Sequence, residues 1–404
     1  MKSQRKAVIV SAVRTPMGSL NGVLSSVPAT QLGSIAIAEA LKRIALPGDR
    51  VDEVYMGCVL AAGLGQAPAR QAAIGAGIPS SVGATTVNKV CGSSLMTLIM
   101  ATQAIGLGDA RIVVAGGMES MTGAPYLLPR AREGYRLGHG ELTDSLIKDG
   151  LWDVYNNFHM GNAGELCAAK YGLTRNELDD FTLESYRRAR EAIATGQFKR
   201  EIIPVEVPQR KAAPLMVAED EEPNRVNLEN LRSLKPVFQD GGVLTVGNSP
   251  ACNDGAAALV VMADDEATKL GLTPMASVVG YAGAALAPEW FTVAPIEAIK
   301  RLLKKTQLSV SDIDLFEINE AFSSVSLAVN RELGLDPKKV NVNGGAVALG
   351  HPIGATGARI VTTLLHALEA RGGRRGIAGL CIGGGEALAV LVERHEKRTS
   401  SSKK

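Results

Sequence analysis

Two cysteines and one histidine of this 404-residue chain stand in glycine-rich surroundings, and their types suit covalent acyl chemistry. The runs read Asn88-Lys89-Val90-Cys91-Gly92-Ser93-Ser94, Gly350-His351-Pro352-Ile353-Gly354 and Cys381-Ile382-Gly383-Gly384-Gly385. A fourth, Asn319-Glu320-Ala321-Phe322, lies between the first and the second. Glycine lets backbone and substrate come close. Cysteine supplies a nucleophile and histidine a base.

Cys91 falls where a strand-like segment gives way to a helical pattern. A helix N-terminus carries partial positive charge, so a lowered thiol pKa and a favoured thiolate are expected. The competing reading is a buried cap cysteine acting as a small apolar residue. His351 sits among Gly344, Gly345, Gly350, Gly354 and Gly357, in a cramped loop that leads into a helix over 358–368. A phosphate cradle is disfavoured, because no Gly-Lys-Ser/Thr ending and no G-x-G-x-x-G after a strand is present. A core histidine is the other reading. Cys381 ends the strand-like run 377–380 and precedes three glycines. A thiol there could act as acid or base, with freed amides stabilising an oxyanion, or it could be a packed strand residue. Cys58 and Cys167 read as packed thiols; Cys252, in a loop, reads as neither core nor catalytic.

The elements that must position these groups alternate between short β-branched runs and amphipathic helices, which argues for largely parallel sheets covered by helices. Residues 7–11, 51–59 and 85–90 read as strands. Residues 31–44 read as a helix with Ile35, Ala38, Leu41 and Ala45 on one face. After Cys91, the positions Leu95, Leu98, Ile99, Thr102 and Ile105 recur at helical spacing. An internal repeat is legible: 35–59 resembles 296–319, and 110–117 resembles 374–384, in the same order. From about 120 to 247 the texture is more charged. Thr174-Arg175-Asn176-Glu177 is a capping box there, and 201–207 and 214–217 look like short strands before an acidic turn at 219–222. This stretch reads as an inserted subdomain that could cover a site. The chain returns through an apolar strand at 255–262.

The composition bounds the function. Lys plus Arg total 43 and Asp plus Glu total 41, which gives no case for nucleic-acid binding or a basic membrane surface. Five scattered cysteines without a C-x-x-C pair fit reduced thiols in the cytoplasm and no structural metal. Residues 1–6 run straight into the strand-like 7–10, so no signal peptide is expected. No apolar stretch is read as reaching the roughly 18 residues of a membrane span. The end, 396–404, reads as a polar tail.

With these motifs assembled, the chain resembles the thiolase family, of the acetyl-CoA C-acetyltransferase type. The likeness runs from Val13-Arg14-Thr15-Pro16 to Val392. It includes Gly116-Gly117-Met118-Glu119-Ser120-Met121 and Asn253-Asp254-Gly255-Ala256-Ala257 besides the runs above. It implies an α/β thiolase fold: two duplicated halves in a five-layer αβαβα core plus an inserted loop domain. The halves would be 1–119, completed by about 248–273, and 274–395, with the loop domain at 120–247. It implies reversible condensation of two acetyl-CoA to acetoacetyl-CoA plus CoA. Coenzyme A would be a substrate, with no cofactor or metal, and the assembly a homotetramer.

By resemblance, Cys91 would carry the acyl group, His351 would activate it, and Cys381 would take or return the α-proton. Asn319 would hold a water that, with His351, binds the enolate oxygen. The N–H groups of Cys91 and Gly383 would form a second oxyanion hole. His159 and Met160 resemble the short-chain thiolases, in which this methionine fills the acyl pocket. Leu151, Phe238, Ala321 and Phe322 match positions along the pantetheine tunnel or acyl site, and Arg225 an arginine at the coenzyme's nucleotide end. The chain departs from many relatives at Ser249-Pro250-Ala251. Proline occupies the place of a pantetheine-touching serine and has no N–H to donate, which leaves Ser249 as the candidate substitute. The competing activities are a β-oxidation 3-ketoacyl-CoA thiolase, opposed by Met160, and an acyl-carrier-protein ketosynthase, opposed by Cys381. A catalytically silent CoA-binding scaffold should lack a reactive residue, and none is missing.

Overall fold

The computed structural model describes residues 5–395; the tail read over 396–404 lies outside them. In the first half β1 (Ala7–Arg14), α1 (Ala29–Lys42), β2 (Glu53–Gly57), α2 (Pro68–Gly75), β3 (Gly83–Val87), α3 (Ser93–Leu107) and β4 (Ile112–Ser120) follow one another. The insertion carries α4 (Met160–Lys170) and α5 (Arg175–Ala194), and β5 (Asn253–Ala263) then completes the half. The second half holds β6 (Ala276–Ala285), α6 (Ala294–Thr306), β7 (Leu315–Ile318), α7 (Ser323–Leu333), α8 (Thr356–Arg371), β8 (Arg375–Ile382) and β9 (Glu386–Arg394).

The strand order is β7-β8-β9-β6-β1-β5-β4-β2-β3, with the halves joined where β1 meets β6 at Val8–Ser277 and Ile9–Ala276. The pairing repeats. β1–β5 and β5–β4 are antiparallel and β4–β2 and β2–β3 parallel. Likewise β6–β9 and β9–β8 are antiparallel and β8–β7 parallel, and a parallel bridge from Phe316 to Val340 stands where β3 stands in the first half. The repeat read in the sequence, α1–β2 with α6–β7 and β4 with β8, is therefore a repeat of the fold.

The sheet of each half is buried on both faces along β1, β4 and β5 and along most of β8 and β9, so alternation along these strands sends side chains into different layers, whereas β3 and β6 stay partly exposed. Val8, Val10 and Val13 of β1 pack outward with Leu32, Ala36 and Ile37 of α1. Ala7, Ile9 and Ala12 pack inward with Leu95 and Leu98 of α3 and Ile360 and Leu364 of α8. On the other sheet Leu388, Val390 and Val392 face inward, whereas Ala389 and Leu391 meet Ile299 and Leu302 of α6. The result is helix, sheet, the α3–α8 layer, sheet, helix. The two central helices lie close: a Cβ on Gly357 would come within 2.2 Å of the Leu95 nitrogen.

Two readings need correction. The buried face of α1 is Leu32, Ala36, Ile37, Ala40 and Leu41, with Ala38 and Ala45 exposed; the expected face was rotated because several alanines fit either stripe. Also, Val90–Leu107 does reach 18 residues at mean hydropathy 1.5. It is apolar because α3 packs between two sheets, with Leu95, Leu98, Ile99 and Ile105 buried there, although half of the window, Leu107 included, is not buried.

The insertion is tied to the core by charge as well as packing. Arg14, fully buried at the end of β1, bonds Glu201 at 2.6 Å and Asp220 at 2.6 and 2.8 Å. The acidic turn thus turns inward at Asp220. Removing one partner of such a buried pair costs about 3–5 kcal/mol. The capping box of α5 forms as read, and Val205–Val207 and Leu215–Val217 pair as a hairpin.

Candidate active site

Cys91 is presented by a strained turn. Between β3 and α3, Val90 has φ of 47°, a left-handed conformation that a β-branched residue adopts only when its surroundings hold it. Its N–H donates to Asn88 Oδ1 at 3.0 Å, and its carbonyl accepts from Ser93 Oγ at 2.6 Å. The Lys89 N–H closes the turn on Ser93 Oγ at 2.9 Å. Cys91 consequently faces a cavity of about 350 Å³ and keeps partial exposure through it. Wider clefts of about 480 Å³ beside Arg43 and about 530 Å³ beside Arg188 bring no cysteine to their walls.

His351 reaches the same cavity from the N-terminal side of α8. Its N–H donates to Asn253 Oδ1 at 2.9 Å, and its Nδ1 meets Thr356 Oγ1 at 2.7 Å. Gly350 turns this loop at φ 99°, and a Cβ there would sit 2.4 Å from Asn253 Cγ. Glu119 ties the loop down: it accepts the Gly354 N–H at 2.9 Å together with those of Val59 and Leu60 at 3.0 and 3.1 Å. These supports, Asn253 and Glu119, fell inside recognised motifs but had been given no role from sequence.

The electrostatics correct one expectation. Burial pushes the Cys91 thiol up to about 11, although the N–H groups of Gly383 and of Cys91 itself reach it and pull the other way. Desolvation of the whole charge outweighs the two amides. Burial, with the nearby Arg359, lowers His351 to about 3. The resting pair is therefore a thiol beside a neutral imidazole, not a preformed thiolate. Iodoacetamide should inactivate the free protein at a rate rising about tenfold per pH unit between about pH 7 and 9, because the thiolate fraction stays far from saturation below the thiol's pKa. A plateau near neutral pH would establish the thiolate resting state instead.

Cys381 lies inside β8, which runs on through Ile382, so it does not end the strand as expected. The strand extends because Cys381 and Ile382 still pair with Ala387 and Glu386 of β9. The thiol is fully buried, and burial, followed by the neighbouring Cys91, raises its pKa well above the ordinary value. Two such thiols resist ionising together, so each proton transfer must be sequential. Asn319 is also buried, with neither side-chain heteroatom bonded to a protein group among the described residues, a setting that suits a held water. Cys58 and Cys167 are buried, as read.

Leu151, His159, Met160, Phe238, Ser249, Ala321 and Phe322 all line the cavity with Cys91, His351 and Gly383. His159 caps α4, its Nδ1 accepting the Gly161 N–H at 3.0 Å, and stacks on Phe238 at 5.0 Å. Phe238 in turn meets the edge of Phe322 at 5.9 Å. Arg225 is not among the lining residues; it stands half-exposed with Glu221 3.8 Å away. Sequence reasoning did not place Met121, Cys252, Phe291 or Ile353 on this wall. Met121 and Ile353 lie inside quoted motifs that could have flagged them; Phe291, just before α6, carries no local signal.

The family model for the thiolase N-terminal domain matches residues 7–265, and that for the thiolase C-terminal domain matches 272–394. An acetyl-CoA acetyltransferase of Cupriavidus necator is 49% identical over 388 residues, 96% of this chain and 99% of the relative. One from Yarrowia lipolytica is 52% identical, covering 96% of each. Among solved structures, a thiolase from Ascaris suum in complex with coenzyme A superposes with TM-score 0.92 at 45% identity, covering 97% of this chain and all of the other. The Bacillus anthracis acetyl-CoA acetyltransferase superposes with TM-score 0.95 at 40% identity, covering 98% and 100%.

Proposed function

The chain belongs to the thiolase family, and from that premise we propose that it condenses two acetyl-CoA reversibly to acetoacetyl-CoA and CoA through an acyl-Cys91 intermediate. The observation that carries this reading is the convergence of Cys91, His351 and the Gly383 N–H on one apolar cavity, with Cys381 beside Cys91.

A thiol at rest beside a neutral imidazole sets the direction of the first proton transfer. His351 takes the Cys91 proton as sulfur attacks the acetyl carbonyl, and the N–H groups of Cys91 and Gly383 receive the oxyanion. The carbon–sulfur bond to coenzyme A breaks. Cys381, a thiol at rest, gives its proton to the departing CoA thiolate and is left as the base. It then takes the α-proton of a second acetyl-CoA, while the protonated His351 and a water held by Asn319 bind the enolate oxygen. The enolate attacks acetyl-Cys91, and the released Cys91 recovers its proton from His351. Every group ends as it began. No metal or prosthetic group enters this scheme.

Met160 supports short acyl groups. Its Sδ lies 3.4 Å from where a Gly383 Cβ would stand, so it packs against Gly383, the residue whose N–H is the proposed oxyanion donor. One methylene in such a pocket is worth roughly 1–3 kcal/mol of discrimination. The protein should cleave acetoacetyl-CoA much faster than 3-oxohexanoyl-CoA, and Met160→Gly should narrow that kcat/KM ratio by improving the longer substrate. A thiolysis assay over chain length measures both; an unchanged ratio would favour the β-oxidation thiolase. A wild type that gains no acetyl mass from acetyl-CoA would favour the silent scaffold.

Ser249 Oγ is buried on the cavity wall without a protein partner among the described residues, which suits it to the pantetheine chain beside Pro250. Arg225, outside the cavity, would meet only the coenzyme's distal end. A homotetramer belongs to the same proposal. It is supported by the sheet-edge position of β3 and by exposed Tyr126, Leu128, Leu137 and Leu142 on one arm. A cytoplasmic location and the division at 120–247 rest on the sequence reading above.

A further inference from the structure

His351 can act as base toward Cys91 only if the nitrogen facing the cavity is bare. Neutral imidazole carries one proton on either nitrogen, and the partner of one nitrogen decides the state of the other. The partner here is Thr356 Oγ1, 2.7 Å from His351 Nδ1. The same hydroxyl lies 2.8 Å from the Pro352 carbonyl oxygen, with donor geometry toward it. Thr356 is wholly buried, so water does not stand in for either contact.

A threonine hydroxyl has one proton for these two gaps. If it pointed at Nδ1, two bare oxygens would face each other at 2.8 Å, which is repulsive. If it points at Pro352, Nδ1 must supply the other proton. Only this second arrangement places a proton in both gaps. We propose that Thr356 is a positioning residue that fixes His351 as the Nδ1–H tautomer and so keeps Nε2 free to receive the Cys91 proton. Thr356 opens α8, and its hydroxyl bonds back four residues to Pro352, so the tautomer is set by the turn that starts the helix. The inference rests on the roles of Cys91 and His351 proposed above.

Thr356→Val keeps the shape and removes the hydroxyl; Thr356→Ser keeps the hydroxyl. Single-turnover acetylation of Cys91 by acetyl-CoA, read by intact mass, should slow roughly 10- to 100-fold in Thr356→Val, in the range seen when a hydrogen bond that orients a functional histidine is lost. It should stay within about twofold of wild type in Thr356→Ser. Binding of CoA should change little, so the loss should fall on kcat rather than KM. Solid-state NMR of sedimented protein labelled with 15N-histidine reads the tautomer directly. The five histidines are few enough to assign by substitution. The wild type and Thr356→Ser should show His351 protonated at Nδ1, and Thr356→Val should lose that state. Equal slowing in both variants, or an unchanged tautomer in Thr356→Val, would overturn the proposal. Failure of the acetyl-transfer reading would show separately, as a wild type that is never acetylated while the tautomer shift persists.

Discussion

Serine in place of Cys91 is expected to abolish acetyl-enzyme formation and to lower condensation by at least about 10⁴-fold, the scale on which a covalent catalyst fails when its nucleophile is lost. A serine hydroxyl is far less acidic than a thiol. The site does little to close that gap, because burial already pushes the Cys91 thiol up to about 11. Neutral His351, lowered to about 3, can assist a thiol whose proton is partly transferred in the transition state, but it is too weak a base for an alcohol in the same place. The substitution removes little volume, and the strained turn at Val90 is held by Asn88 and Ser93 rather than by the thiol. The variant should therefore fold and bind CoA. Intact-protein mass spectrometry after acetyl-CoA addition measures the loss. Undiminished acetylation would place the nucleophile elsewhere and remove the basis of the proposed order.

What was legible in the sequence follows from what local chemistry encodes. The repeat could be read because each half must build the same helix–strand sequence to cover a sheet buried on both faces. The reactive residues could be read because Gly350 and Gly357 are forced by close approach, at Asn253 and Leu95, and such glycines advertise the loop they shape. The thiolate at Cys91 was misread because a helix N-terminus is visible in sequence whereas desolvation is not: it comes from residues far away in the chain that wall the same cavity, such as Phe291 and Phe322. The same reason explains Asp220, whose place in an acidic run gave no sign that Arg14 would bury it. The buried face of α1 was rotated because alanine fits a packed and an exposed position equally well.

Serine in place of Cys381 should separate the two halves of the reaction. Acetylation of Cys91 needs His351 and the two amides above all; the proton that Cys381 gives to the departing CoA thiolate contributes less, because that thiolate is a competent leaving group without it. It should persist within about tenfold of wild type. Carbon–carbon bond formation needs a base at the α-carbon, and loss of a positioned base typically costs about 10²–10⁴-fold. A serine hydroxyl at this position would be harder still to ionise, since the environment that raises the Cys381 thiol is burial first and the neighbouring Cys91 second, and both act on any anion placed there. Thiolysis of acetoacetyl-CoA should fall in step with condensation, because the same group must return the proton to the leaving enolate. The measurement compares the acetylation rate by mass with the condensation and thiolysis rates on one preparation. Exchange of the α-protons of acetyl-CoA for deuterium adds a direct view of the lost step, and it should vanish in the variant while acetyl-Cys91 still forms. Equal losses in acetylation and condensation would mean that Cys381 supports the cavity as a whole, and the sequential roles of the two thiols would have to be abandoned.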